Sequence, residues 1–121
     1  MADKKENMNL KNEYEEIQDL LLLYKNKKIK EAESKANILI VNYPNSFFIY
    51  NFLGIILTSQ KRYKEAISNY GKALDIKKDY PEAYFNLGIV YNKLNNSKKA
   101  EECFKYAIKF KADYVEAFNN L

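Results

Sequence analysis

The chain has 121 residues, 47% hydrophobic and 15% aromatic, enough to bury the core of one domain, and it carries 20 Lys and Arg against 16 Asp and Glu for a formal charge of +4. With three Gly and two Pro it is short of turn-formers for an all-β fold, and a single Cys rules out an internal disulfide or a cysteine metal cage. There is no His, which removes the commonest catalytic base and the commonest transition-metal ligand, and a charge excess this small does not point to nucleic acid as a partner.

Residues 1–12 form a polar, charged tail without the apolar stretch of a signal peptide. The longest apolar runs, at 20–24 and 52–57, fall far short of the ~20 residues of a membrane span, so no transmembrane segment and a cytoplasmic protein are expected.

From Glu13 the chain reads as amphipathic helices. Ile17, Leu20, Leu21 and Tyr24 have the i, i+3, i+4, i+7 spacing of one helical face, a polar break follows at Asn26, Lys27 and Lys28, and Ile29, Ala32, Ala36, Leu39 and Ile40 line a second helix that Pro44 ends. The next unit, 47–80, repeats this with Tyr50, Leu53, Gly54 and Leu57 on its first helix and Tyr63, Ala66, Ile67, Tyr70, Ala73 and Leu74 on its second. In the third, 81–114, Pro81 sits in the first helical turn and Asn95 and Asn96 make the inter-helix turn, where Asn tolerates a left-handed backbone. Residues 115–121, VEAFNNL, repeat the opening PEAYFNL of that unit, as the start of a fourth; the stop at Leu121 leads us to expect a fragment of a longer protein.

The units align at an offset of 34, with Gly88 on Gly54, Ala100 on Ala66 and Ala107 on Ala73. A mid-helix Gly is unfavourable by roughly 1 kcal/mol against Ala, so Gly54 and Gly88 imply close approach of a neighbouring helix, expected at Ala66 and Ala100. The first unit has Leu20 where the others have Gly and Ala36 where they have an aromatic, which reads as exchange of volume within one packing layer.

Tyr84-x2-Leu87-Gly88-x2-Tyr91 followed by Ala100-x3-Phe104 resembles the tetratricopeptide repeat, whose pattern is W-x2-L-G-x2-Y…A-x3-F…P. The resemblance covers residues 13–121, with Tyr in place of Trp and with Lys78 and Ala112 where the closing Pro would fall. It implies an all-α fold, a right-handed α-solenoid of stacked antiparallel helix pairs with a concave groove, and a non-catalytic scaffold that binds a peptide or partner domain without cofactor or metal.

In that family the groove is lined by the first helix of each repeat. Carried over, this gives Tyr14, Ile17, Gln18, Leu21 and Tyr24, then Phe48, Asn51, Phe52, Ile55 and Thr58. The third repeat adds Glu82, Phe85, Asn86, Ile89, Asn92 and Lys93. Asn86 and Asn120 share a register one repeat apart, as in the asparagine ladders of peptide-binding arrays, although Phe52 and Gln18 interrupt it upstream; an amide donates and accepts at once and so reads a peptide backbone. The basic clamp of the chaperone-binding members is not expected, since Ile17 and Leu21 stand at its places. An alternative role is the N-terminal arm of a larger enzyme, for which the family implies a glycosyltransferase- or sulfotransferase-like domain beyond Leu121.

Catalytic constellations are absent. Paired carboxylates such as Glu15 and Glu16 point to different helix faces, and Cys103 lies among charged residues as a half-exposed packing residue. Lysines recur at each inter-helix turn (Lys25, Lys27, Lys28, Lys30; Lys61, Arg62, Lys64; Lys93, Lys98, Lys99) and would align as a positive edge, either solvated or facing an anionic partner or membrane. At the C-terminal end, Tyr91, Phe104, Ala107 and Ile108 are expected to be partly uncovered and to favour self-association.

Overall fold

The computed structural model describes residues 11–111, and these form six α-helices with no strand among them. They are α1 (Glu13–Lys25), α2 (Ile29–Asn42), α3 (Phe47–Ser59), α4 (Tyr63–Ile76), α5 (Pro81–Lys93) and α6 (Ser97–Phe110). The polar tail expected over 1–12 and the repeat start at 115–121 fall almost wholly outside the described residues, as does Asn120.

Local chemistry sets the boundaries. Asn12 caps α1 by accepting from the Glu15 backbone N–H at 2.8 Å, while the Glu15 carboxylate accepts from the Asn12 N–H at 3.2 Å, a reciprocal capping box. Ser46 caps α3, Asn96 caps α6, and Pro81 opens α5 where its missing N–H is harmless.

The turns within pairs repeat one geometry. Lys27, Lys61 and Asn95 adopt left-handed φ values of 62°, 61° and 60°. Each is followed by a residue whose N–H reaches back to the first helix: Lys28 to Leu23 at 2.9 Å, Arg62 to Leu57 at 3.0 Å, Asn96 to Tyr91 at 2.8 Å. Together with the bonds from Lys27 to Tyr24, Lys61 to Thr58 and Asn95 to Asn92, these are Schellman turns, which satisfy carbonyls that a helix end otherwise orphans.

Each helix packs on the next, and α3 also touches α5 directly, so the first helices of the pairs form an inner layer. One continuous core runs through the first two pairs into the third, from Leu20, Ala36 and Leu39 through Ile49, Ile56 and Tyr70 to Leu87 and Val90. Burial at these positions is the main stabilising term, because no single helix pair encloses its own apolar face.

The close approach at the glycines differs from the expectation. A Cβ on Gly54 would lie 2.6 Å from Cδ1 of Tyr70, and one on Gly88 would lie 2.7 Å from Cδ1 of Phe104, so the atoms nearest each glycine belong to an aromatic ring of the second helix. In the first pair Leu20 and Ala36 are both fully buried, with the large side chain now on the first helix. At the C-terminal end the four residues expected to be partly uncovered divide. Phe104 and Ala107 are buried and Tyr91 and Ile108 half-buried, since the Phe104 ring is held against Gly88 and Phe85 within its own pair.

Candidate functional site

The inner layer brings side chains from three repeats around one pocket of about 230 Å³. Its walls are Tyr24 of α1, Ile55 of α3 and Ile89 of α5, with polar groups from Thr58, Ser59, Tyr70 and Asn86. Among the described residues no charged side chain lines it. This is the composition of a site that takes an uncharged group and orients it with a few hydrogen bonds.

The polar groups are themselves fixed. Thr58 donates its hydroxyl to the Gly54 carbonyl at 2.8 Å, an i to i−4 bond within α3. Its oxygen therefore accepts from the Tyr70 hydroxyl at 3.1 Å, which turns the lone pairs of Tyr70 outward. Burial pushes the Tyr70 phenol up to about 12, the Thr58 hydrogen bond acting in the opposite sense, so this hydroxyl stays a neutral donor.

Asn86 donates to the Asn51 carbonyl oxygen at 3.1 Å, and Asn51 donates to the Tyr80 hydroxyl at 3.3 Å. Asn51 is only 5% exposed and ties α3 to α5 and to the turn before it. Asn86 is half-buried, and with one N–H committed to Asn51 its carbonyl oxygen and second N–H remain for the pocket.

Of the residues expected to line a groove, Tyr24, Ile55, Thr58, Asn86 and Ile89 meet in this pocket. Asn51 and Phe52 do not line an open surface. Asn51 is consumed between repeats, and Phe52 is buried in an edge-to-face contact with Tyr24 at 5.2 Å and a stack on Phe48 at 6.1 Å. Ile17 and Leu21 are half-buried against the core, Phe85 leans on Phe104 at 5.7 Å, and Glu82 is half-buried. Tyr14, Asn92 and Lys93 are exposed near helix ends, and Gln18 is exposed in the middle of α1. The asparagine ladder takes another form: Asn86 pairs with Asn51, 35 residues away, and Asn120 lies outside the described residues.

Ser59 and Tyr70 are pocket residues that periodicity did not reveal. Tyr70 sits on a second helix and reads as core, yet lacking a side chain at Gly54 it reaches through to the inner face; a glycine with Thr four residues on, opposite a tyrosine, was the available signal.

On the other face, a pocket of about 310 Å³ between α2, α3 and α4 is dominated by ion pairs. The Arg62 guanidinium binds Glu33 at 2.8 Å and 2.9 Å and Glu65 at 2.7 Å and 3.0 Å, with Gln60 bridging Glu33 and Arg62. The hydrogen bonds it donates to Glu65 and then to Glu33 hold Arg62 still further into its charged form. Cys103 is half-buried, and burial followed by the nearby Glu102 carboxylate pushes its thiol up to about 11, the opposite of an activated nucleophile. Among the described residues no group of His, Cys, Asp and Glu could hold a metal ion, and no helix is long and apolar enough to cross a membrane.

Comparison with known proteins places this architecture. Residues 54–95 match a TPR repeat model and residues 81–114 a tetratricopeptide repeat model, so that 54–114 is covered. No curated protein matches the chain. Among solved structures it is similar to MamA (TM-score 0.84, 20% identity, 98% of this chain and 69% of that one). It is similar as well to the first TPR of Spaghetti (RPAP3) bound to the HSP90 peptide SRMEEVD (TM-score 0.83, 18% identity, 86% and 82%). A third is YrrB, described as a TPR protein with an unusual peptide-binding site (TM-score 0.82, 20% identity, 97% and 60%). At these identities the structures speak for the fold alone, but with the helix pairs at period 34 and the two repeat models they lead to one assignment: the chain belongs to the tetratricopeptide repeat family.

Proposed function

We propose that the chain is a non-catalytic protein-interaction module, at work in the cytoplasm, whose inner face holds a peptide segment with an uncharged, apolar side chain anchored between Tyr24, Ile55 and Ile89. The observation that carries this reading is the pocket to which three successive repeats contribute and in which Asn86 and Tyr70 offer hydrogen-bonding atoms beside apolar walls. A peptide laid along it gains apolar burial in the pocket and backbone hydrogen bonds from the amide. Two of the similar structures are described by a bound peptide or a peptide-binding site, which supports the class of ligand. The HSP90 peptide there carries Glu, Glu and Asp in its last four residues, whereas among the described residues no cation lines the pocket here to receive them, so a neutral anchor fits better.

The test is selection from a random peptide library on the intact chain. Enrichment of a common apolar anchor is expected, with binding at least about tenfold weaker for Ile89→Lys and retained for Ile89→Val. Selected peptides that bind Ile89→Lys as well as the parent, with helicity unchanged, would remove the pocket from the account.

A further inference from the structure

The six helices alternate up and down, so the three turns within pairs lie at one end of the stack and the two turns between pairs at the other. The first set is strongly basic. In the three equivalent windows 25–31, 59–65 and 93–99 there are ten cations against Glu31 and Glu65, a net +8 where the whole chain carries +4, so everything else sums to −4. One end of the molecule holds the entire positive excess.

Most of that charge is unspent. Arg62 is neutralised by Glu33 and Glu65. The nine lysines, Lys25, Lys27, Lys28 and Lys30 with their counterparts in the other two windows, are exposed, and no salt bridge engages any of them among the described residues. Among the described residues Lys99 alone of the nine has a ring beneath it, that of Tyr91 at 5.4 Å. The surface is built from tips of Schellman turns, and its apolar member Leu94 is 43% exposed between Lys93 and Asn95.

We propose that this end of the solenoid docks on an anionic lipid surface, independently of the inner groove. Three features favour lipid headgroups over other polyanions. Nine of the ten cations are Lys, a mobile point charge suited to diffuse surface charge, and the one Arg, whose fork would clamp a defined phosphate, is occupied. The sole ring within the windows, Tyr63, packs against the core, which leaves no platform for stacking bases. A row of turn tips meets a flat sheet along its length, and Leu94 supplies an apolar group beside the lysines.

The experiment uses the full chain and sedimentation with phosphatidylcholine vesicles, with and without phosphatidylglycerol. Binding to the anionic vesicles alone is expected, weakening severalfold as ionic strength rises from about 0.05 to 0.3 M. The decisive variant is the triple K30E/K64E/K98E, whose three positions are one repeat apart, exposed, and second in α2, α4 and α6, where an acidic residue suits the helix dipole and leaves the fold intact. Its affinity for anionic vesicles should fall by on the order of tenfold or more. Absence of vesicle binding, equal binding to neutral vesicles, or unchanged binding by the triple variant overturns the proposal. So does tighter binding to oligouridylate, duplex DNA or polyglutamate than to the vesicles, which would reassign the lysines to that partner.

Discussion

The ring of Tyr70 occupies the space of the side chain that Gly54 lacks, and 34 residues on Phe104 stands over Gly88 in the same way. The relationship explains two glycines in helix interiors, positions where Ala is intrinsically better by roughly 1 kcal/mol.

Gly88→Ala should therefore lower stability despite that gain. Crowding a packed site is unfavourable by about 1–3 kcal/mol, so a net loss of about 1 kcal/mol in urea unfolding is expected. Phe104→Ala alone should lose about 3–5 kcal/mol through the cavity it opens. The pair Gly88→Leu with Phe104→Ala copies the Leu20 and Ala36 arrangement, and its loss should be smaller than the sum of the losses of Gly88→Leu and Phe104→Ala made singly; strict additivity would show that the two sites do not share space.

Asn51→Ala should be costlier than its size suggests. It removes the acceptor of Asn86 and a donor to Tyr80 in a buried setting, a loss of about 1–3 kcal/mol. The half-exposed Asn86→Ala should stay below about 1 kcal/mol in unfolding. Chemical denaturation of the two variants side by side checks the order.

Lysines in the left-handed region are strained. Lys61→Gly relieves a conformation unfavourable by about 1–2 kcal/mol for residues with a Cβ, and after the added freedom of the unfolded chain a gain of about 0.5 kcal/mol remains. Lys61→Val should lose stability. A rise in melting temperature for the first and a fall for the second are the expected readings.

Stability should fall at high pH. Unfolded tyrosine loses its proton near 10.0 and cysteine near 9.0, whereas buried Tyr70 and half-buried Cys103 hold theirs to about 12 and about 11. Between these limits the folded state binds more protons than the unfolded one, so stability is complete below about pH 9 and declines from there to about pH 12. Urea midpoints should be flat up to pH 9 and then drop, with Cys103→Ser removing the part between about 9 and 11 and Tyr70→Phe the part above 10.

The helix pairs were legible because apolar spacing and the repeat offset are local signals that agree with each other. Asn95 was readable as a turn residue, while Lys27 and Lys61 in the same conformation were not, since lysine carries no turn preference and the hydrogen-bond pattern imposes it. The groove was half legible. A register carried from a family says which face Asn51 and Phe52 occupy, but whether they are open depends on the partners that reach them, Tyr80 and Asn86 for one, Tyr24 and Phe48 for the other. Contacts separated by 28 to 35 residues leave no mark in periodicity.

Repeated chains face a hazard during folding, because similar segments can trade places. The layer at Leu20 and Ala36 is a mirror of those at Gly54 and Tyr70 and at Gly88 and Phe104. If α2 paired with α3 in place of α4, Ala36 would leave a hole over Gly54; if α4 paired with α1, Tyr70 would collide with Leu20. The inverted layer thus gives the first pair its own lock and key, and a slipped register carries either a void or a clash.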